Sequence, residues 1–209
     1  AIAVFALTSC SSVPAPSGAG DDSAIPVRTV SGVVLLPDQV ETDLSGLVVV
    51  SFAGASSVRS DGTFAALVPD TGAPQTVLVM GSGTTPVLLG RVSPTAVNNV
   101  VIDASSTAMA LCLLNPFTIM FSSTSLAAVE DLIVEHQDWP RLVERAGDSI
   151  AASLSNRLDH HLEPGLTQLA AQLTIDVLRG YPSGALSVGD PWLEDAAGDS
   201  VACVSSDPI

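Results

Sequence analysis

The sequence predicts an α+β protein: an N-terminal antiparallel β-sandwich of about seven strands followed by a small helical bundle of three to four helices. Two observations carry this. From Val27 onward, short runs rich in Val, Leu, Thr and Phe are separated by Gly, Pro, Asp and Ser clusters, the pattern of a unit built from strands. Beyond Asp103, apolar residues recur three and four positions apart, the period of helices with one buried face. Strands therefore come first and helices second, with expected boundaries at residues 25–103 and 104–180.

The strand runs are residues 28–36, 47–52, 56–59, 63–68, 75–80, 86–91 and 97–102. Ser60-Asp61-Gly62 reads as a tight hairpin turn, because Asp-Gly readily supplies positive φ. Pro69-Asp70-Thr71-Gly72 stops the run before it.

Between Asp103 and Glu130 there is no charged residue. A membrane span needs about 20 apolar residues. Asn115-Pro116 and the polar stretch Ser122-Ser123-Thr124-Ser125 break this one into shorter pieces, so it predicts a buried helix at the joint. Three helices should follow. Ser125 is expected to cap the first, 126–136, with Leu126, Val129, Leu132 and Ile133 on one face. Asp138 caps the second, with Pro140 in its first turn, where a missing N–H costs nothing. Its stripe is Leu142, Val143, Ala146, Ile150, Leu154 and Leu158. Pro164 opens the last, with Leu166, Leu169, Ala170, Leu173 and Val177 inward and Gly180 at its end.

With 47% hydrophobic and 14% charged residues, the folded part should be well buried. The formal charge is −15, and all seven basic side chains are Arg. So acidic a chain offers no basic face to phosphates, which argues against nucleic acid as a partner.

The start of the chain carries a different signal. Residues 1–9 are apolar or small and end in Leu7-Thr8-Ser9 before Cys10. They are too short to span a bilayer and read as the remnant of a signal peptide. Leu7-Thr8-Ser9-Cys10 resembles the bacterial lipobox. That resemblance implies cleavage before Cys10, a diacylglyceryl group on its sulfur, and usually acylation of the new amino group. One acyl chain holds a protein only marginally, whereas two or three make attachment effectively permanent. Residues 10–24 are small, polar and rich in Pro and Gly, the composition of a tether. Ser11 and Ser12, rather than Asp, after the Cys favour outer-membrane sorting by the enterobacterial rule.

The strand region carries a second resemblance. Ser31-Gly32-Val33-Val34, a central Val-rich run, Ser60-Asp61-Gly62-Thr63-Phe64 and then Leu67-Val68-Pro69 are similar to the carboxypeptidase regulatory-like domain, a transthyretin-type β-sandwich. Members of that family are generally accessory modules or spacers, and the resemblance implies no catalytic residues.

Few side chains suggest chemistry. Asp159-His160-His161-Leu162-Glu163 gathers potential metal ligands. One helix presents ligands at i, i+3 or i+4, however, and only His160 with Glu163 meets that spacing. A polar helix end is the plainer reading. Met80-Gly81-Ser82-Gly83 lacks the first Gly of a nucleophile elbow. No metal, cofactor or catalytic residue is therefore expected. Cys112 lies in an apolar run and reads as a small buried hydrophobe, while Cys203 sits in the acidic tail, 181–209. A bridge between them is open in an oxidising compartment. Trp192 in that tail either packs back or serves as a docking anchor.

The expected function is that of a non-enzymatic, lipid-anchored binding or spacer module of the bacterial cell envelope. It would be held to the membrane by acyl chains on Cys10 and would meet an unidentified protein or envelope polymer. The alternative is an N-terminal accessory part of a larger cell-envelope hydrolase whose catalytic domain lies beyond residue 209.

Overall fold

A computed structural model of the chain describes residues 26–38, 40, 43–81, 86–116, 118, 121–155 and 163–180. Cys10, Ser82, His160, His161, Leu158, Trp192 and Cys203 lie outside them. Among the described residues the architecture is α+β: seven strands form two sheets in a sandwich-like arrangement, and four helices follow.

The strands are β1 (Val27–Val34), β2 (Val48–Ser51), β3 (Gly54–Ser57), β4 (Thr63–Pro69), β5 (Gln75–Met80), β6 (Pro86–Val92) and β7 (Val100–Ile102). One sheet has the order β4-β1-β7, the other β3-β2-β5-β6. In the first, β1 runs antiparallel to β4, from Val27↔Pro69 to Val33↔Thr63, and parallel to β7, from Gly32↔Val100 to Val34↔Ile102. The second is antiparallel throughout.

Alternation explains which side faces inward. On β4, Phe64, Ala66 and Val68 are buried while Ala65 and Leu67 are exposed. They meet Val30 and Val34 of β1 and, from the other sheet, Val49, Val77, Val79 and Leu88 in one apolar cluster. At Gly32 a Cβ would lie 2.0 Å from the Val100 carbonyl oxygen, so only glycine lets β7 approach β1 there.

Several boundaries differ from the sequence reading. The Asp-Gly turn forms, with Gly62 at φ +83°, but it passes the chain from β3 in one sheet to β4 in the other instead of closing a hairpin within a sheet. Residues 97–102 yield only the three-residue β7, because Asn99 takes φ +65°, which interrupts extended backbone. A 3₁₀ turn, Leu44–Gly46, capped by the Asp43 carboxylate, was not anticipated.

The helices are α1 (Ala104–Leu113), α2 (Ser123–Glu135), α3 (Trp139–Ser155) and α4 (Pro164–Gly180). Among the described residues, no helix is long and apolar enough to cross a membrane. The charge-free stretch breaks after α1, where the Thr118 hydroxyl reaches the Leu113 and Asn115 carbonyl oxygens, each at 2.9 Å, and ties off the helix end. The cap of α2 is Ser122, not Ser125. Ser122 is extended (φ −60°, ψ 159°) and its side chain accepts the Ser125 N–H, whereas Ser125 is already one turn inside the helix and buried.

A second apolar cluster unites the helices: Ala108 and Cys112 of α1, Val129 and Ile133 of α2, Leu142 and Ala146 of α3, and Leu166, Ala170, Leu173 and Val177 of α4. Residues of α1 and α3 tie it to the sandwich, Leu154 of α3 among them. Ala104 packs against both clusters, and Ile150 of α3 belongs to the strand cluster with no exposed surface.

Candidate functional site

The joint is built around the free edge of β6. An edge strand leaves backbone donors and acceptors unpaired. At Leu89 the helix supplies both partners: the Thr107 hydroxyl accepts the Leu89 N–H at 3.1 Å, and the Ser106 hydroxyl donates to the Leu89 carbonyl at 2.9 Å. Asp103 fixes the start of α1 by a capping box, its carboxylate accepting the Ser106 N–H at 2.7 Å while Ser106 Oγ accepts the Asp103 N–H at 2.8 Å. With α1 laid across it, β6 is buried along Val87, Leu88, Leu89 and Gly90, which explains its unbroken apolar text.

Beside this contact a cleft of about 640 Å³ opens between sheet and helices. Met109, Val134 and Trp139 give it apolar walls, and Arg91 of β6 and Glu130 of α2 form an ion pair within it. The two side chains are only 17% and 30% exposed. Burial lowers the Arg91 pKa against the pull of Glu130, and burial raises that of Glu130 against the pull of Arg91, with Asp131 adding to the rise. Lost hydration thus outweighs attraction at both groups, the usual balance for a partly dry ion pair. An amphipathic guest fits this chemistry: an apolar part against Trp139 and Met109, and a hydrogen-bonding group that restores solvation to the pair.

The polar side chains nearby are already occupied. Asp103 and Ser106, which also line the cleft, are held by the capping box, and no histidine lies among its described lining residues. His136 closes α2, its Nδ1 accepting the Asp138 N–H at 3.2 Å. The described member of the sequence-predicted acid and histidine cluster, Glu163, pairs with Arg145 at 3.1 Å, and its N–H donates to Ser149 Oγ. Among the described residues, no group of three or more His, Cys, Asp or Glu is placed to hold a metal.

Cys112 is the buried apolar thiol that its surroundings predicted, and it is free. Burial pushes its pKa up to about 11, with Thr174 opposing the rise, so it is neither thiolate nor nucleophile near neutral pH. The proposed lipidation site, Cys10, lies outside the described residues.

The cleft itself escaped sequence reading, because Arg91 comes from β6, far in the chain from the helices that carry Glu130 and Trp139. One signal was present. Arg91 is the lone charge within an apolar strand, and Glu130 is the charge that ends the uncharged stretch. No protein-family model, curated protein or solved structure matches this chain.

Proposed function

We propose that this chain is a non-enzymatic, exported module of the bacterial cell envelope, anchored by acyl chains on Cys10, that binds its partner in the joint cleft. The fold would be a transthyretin-type sandwich of the carboxypeptidase regulatory-like kind with a small helical bundle docked on it. The lipobox residues Leu7-Thr8-Ser9-Cys10 support the anchor. The observation that carries the binding reading is the half-dry Arg91–Glu130 pair between apolar walls, a surface that gains by being covered. The partner class is a protein segment or envelope polymer with an apolar group next to a hydrogen-bonding one.

A photo-crosslinking residue in place of Ala127, which lines the cleft and is exposed, tests this in the native host. One discrete adduct is expected, absent when the crosslinker replaces Ser45 on the distant 3₁₀ turn and lost in a Val134→Arg background. Equal labelling from both positions would remove the binding role.

A further inference from the structure

The hairpin joining β2 to β3 has the turn Phe52-Ala53, and Phe52 is 92% exposed at its apex. Turn apices ordinarily carry Gly, Asn, Asp or Pro, each for a backbone reason, and Phe satisfies none of them. Nothing in the strand packing needs this ring, since the cluster between the sheets closes without it.

The position of this apex in the sandwich gives it meaning. The Ser51 hydroxyl bonds to the carbonyl of Leu67 on β4, which places the hairpin tip at the end of the sheet where β4 finishes and β1 begins. There the Asp70 N–H donates to the Pro26 carbonyl at 2.7 Å, and Val27 pairs with Pro69. Val27 and Leu67 at this end are 51% and 45% exposed. The chain that leads back to Cys10 therefore enters the sandwich at the end that carries Phe52. Fifteen residues separate Cys10 from Pro26. Covalent geometry caps that reach at about 58 Å and a coil of this length averages roughly 22 Å end to end, so this end of the sandwich is the one held nearest an anchored Cys10.

We infer that this end of the sandwich rests on the lipid surface, with Phe52 inserted among the headgroups and Val27 and Leu67 against them. The inference rests on the lipid-anchor reading above. Charge selects the kind of surface. The protein as a whole carries −15, which opposes approach to anionic lipid, but the hairpin Val48–Ser57 contains no charged residue. Asp70, half exposed at this end and 3.7 Å from Arg28, is the charge beside the contact, so the surface it suits is zwitterionic and not anionic. A single ring is a weak anchor alone. Held at millimolar effective concentration by the acyl chains, it is enough to orient the body.

The test uses the full mature chain purified from host membranes in a Cys203→Ser background and reconstituted into phosphatidylethanolamine-rich vesicles. A nitroxide is attached at Ala55→Cys near the tip or at Ser45→Cys on the distant 3₁₀ turn; both native residues are exposed. Collision rates with oxygen and with a water-soluble nickel chelate report lipid or water at each position. The expected result is a lipid-weighted ratio at position 55, an aqueous one at 45, and loss of that contrast on adding Phe52→Ser. An aqueous ratio at both positions on a chain whose mass includes acyl groups overturns the contact and leaves the anchor standing. A chain without acyl mass overturns the anchor reading and the contact together.

Discussion

Strands β6 and β3 are the two edges of the same four-stranded sheet, and they are finished in opposite ways. At β6, α1 side chains satisfy the Leu89 backbone and an apolar layer covers the strand. At β3, the text Gly54-Ala55-Ser56-Ser57 is small and polar and the strand has four residues; among the described residues it lies beside β4 of the facing sheet and no helix covers it. Short polar edges resist pairing with other chains, so an uncovered edge is tolerable there. The helices thus do more than follow the sandwich in sequence: among the described residues they complete one of its edges, while β4 of the facing sheet lies beside the other.

Removing apolar volume from the covered edge should have the largest effect. Ile150→Ala takes a fully buried side chain of α3 out of the strand cluster, and a loss of about 2–5 kcal/mol is expected in urea unfolding. If helices and sandwich unfold as one unit, the transition shifts as a whole. A split into two transitions, with the sandwich unmoved, would show that α3 is not part of that core.

Next in size is the backbone clamp. Thr107→Val keeps the shape but leaves the buried Leu89 N–H without its acceptor, at an expected cost of about 1–3 kcal/mol. Hydrogen exchange at the Leu89 amide should accelerate in the variant. Unchanged protection there would mean that the helix covers β6 without bonding to it.

The smallest effect belongs to Glu130. Its pKa is raised in the folded protein, so the fold binds its proton more tightly than the unfolded chain does. The stabilisation from that proton is complete below the ordinary glutamate value and is lost as pH rises through the raised folded value. Glu130→Gln should therefore flatten stability against pH across that window, read as melting temperature in a pH series. If wild type instead gained stability over Glu130→Gln as pH rose, the attraction of Arg91 would outweigh burial at this pair. Asp43 and Asp61 titrate in the opposite sense, their pKa values lowered by bonds from Ser45 and Thr63, so they are no substitute for Glu130 as the source of this slope.

The legible parts of the fold were those with a local cause. Alternation marked β4, the helical stripe of α3 predicted burial of Leu142, Ala146 and Ile150, and Pro164 and Gly180 marked the ends of α4. What local pattern could not show was partnership. The Asp-Gly turn looks the same whether it returns within a sheet or crosses to another, and Ile150 looks the same whether its stripe faces helices or strands. Ser122 and Ser125 are chemically equivalent caps in the text, and only the backbone angles choose between them. The cleft was illegible for the same reason, since two isolated charges 39 positions apart acquire meaning only once β6 and α2 meet.

Everything proposed about attachment rests on acylation of Cys10, which the intact mass of the mature protein extracted from its host's membranes would reveal. A species that begins at Cys10 and carries two or three acyl chains is expected. A mature species that lacks acyl mass would contradict that expectation, and a far larger acylated mass would keep the anchor but assign these residues to a bigger envelope protein.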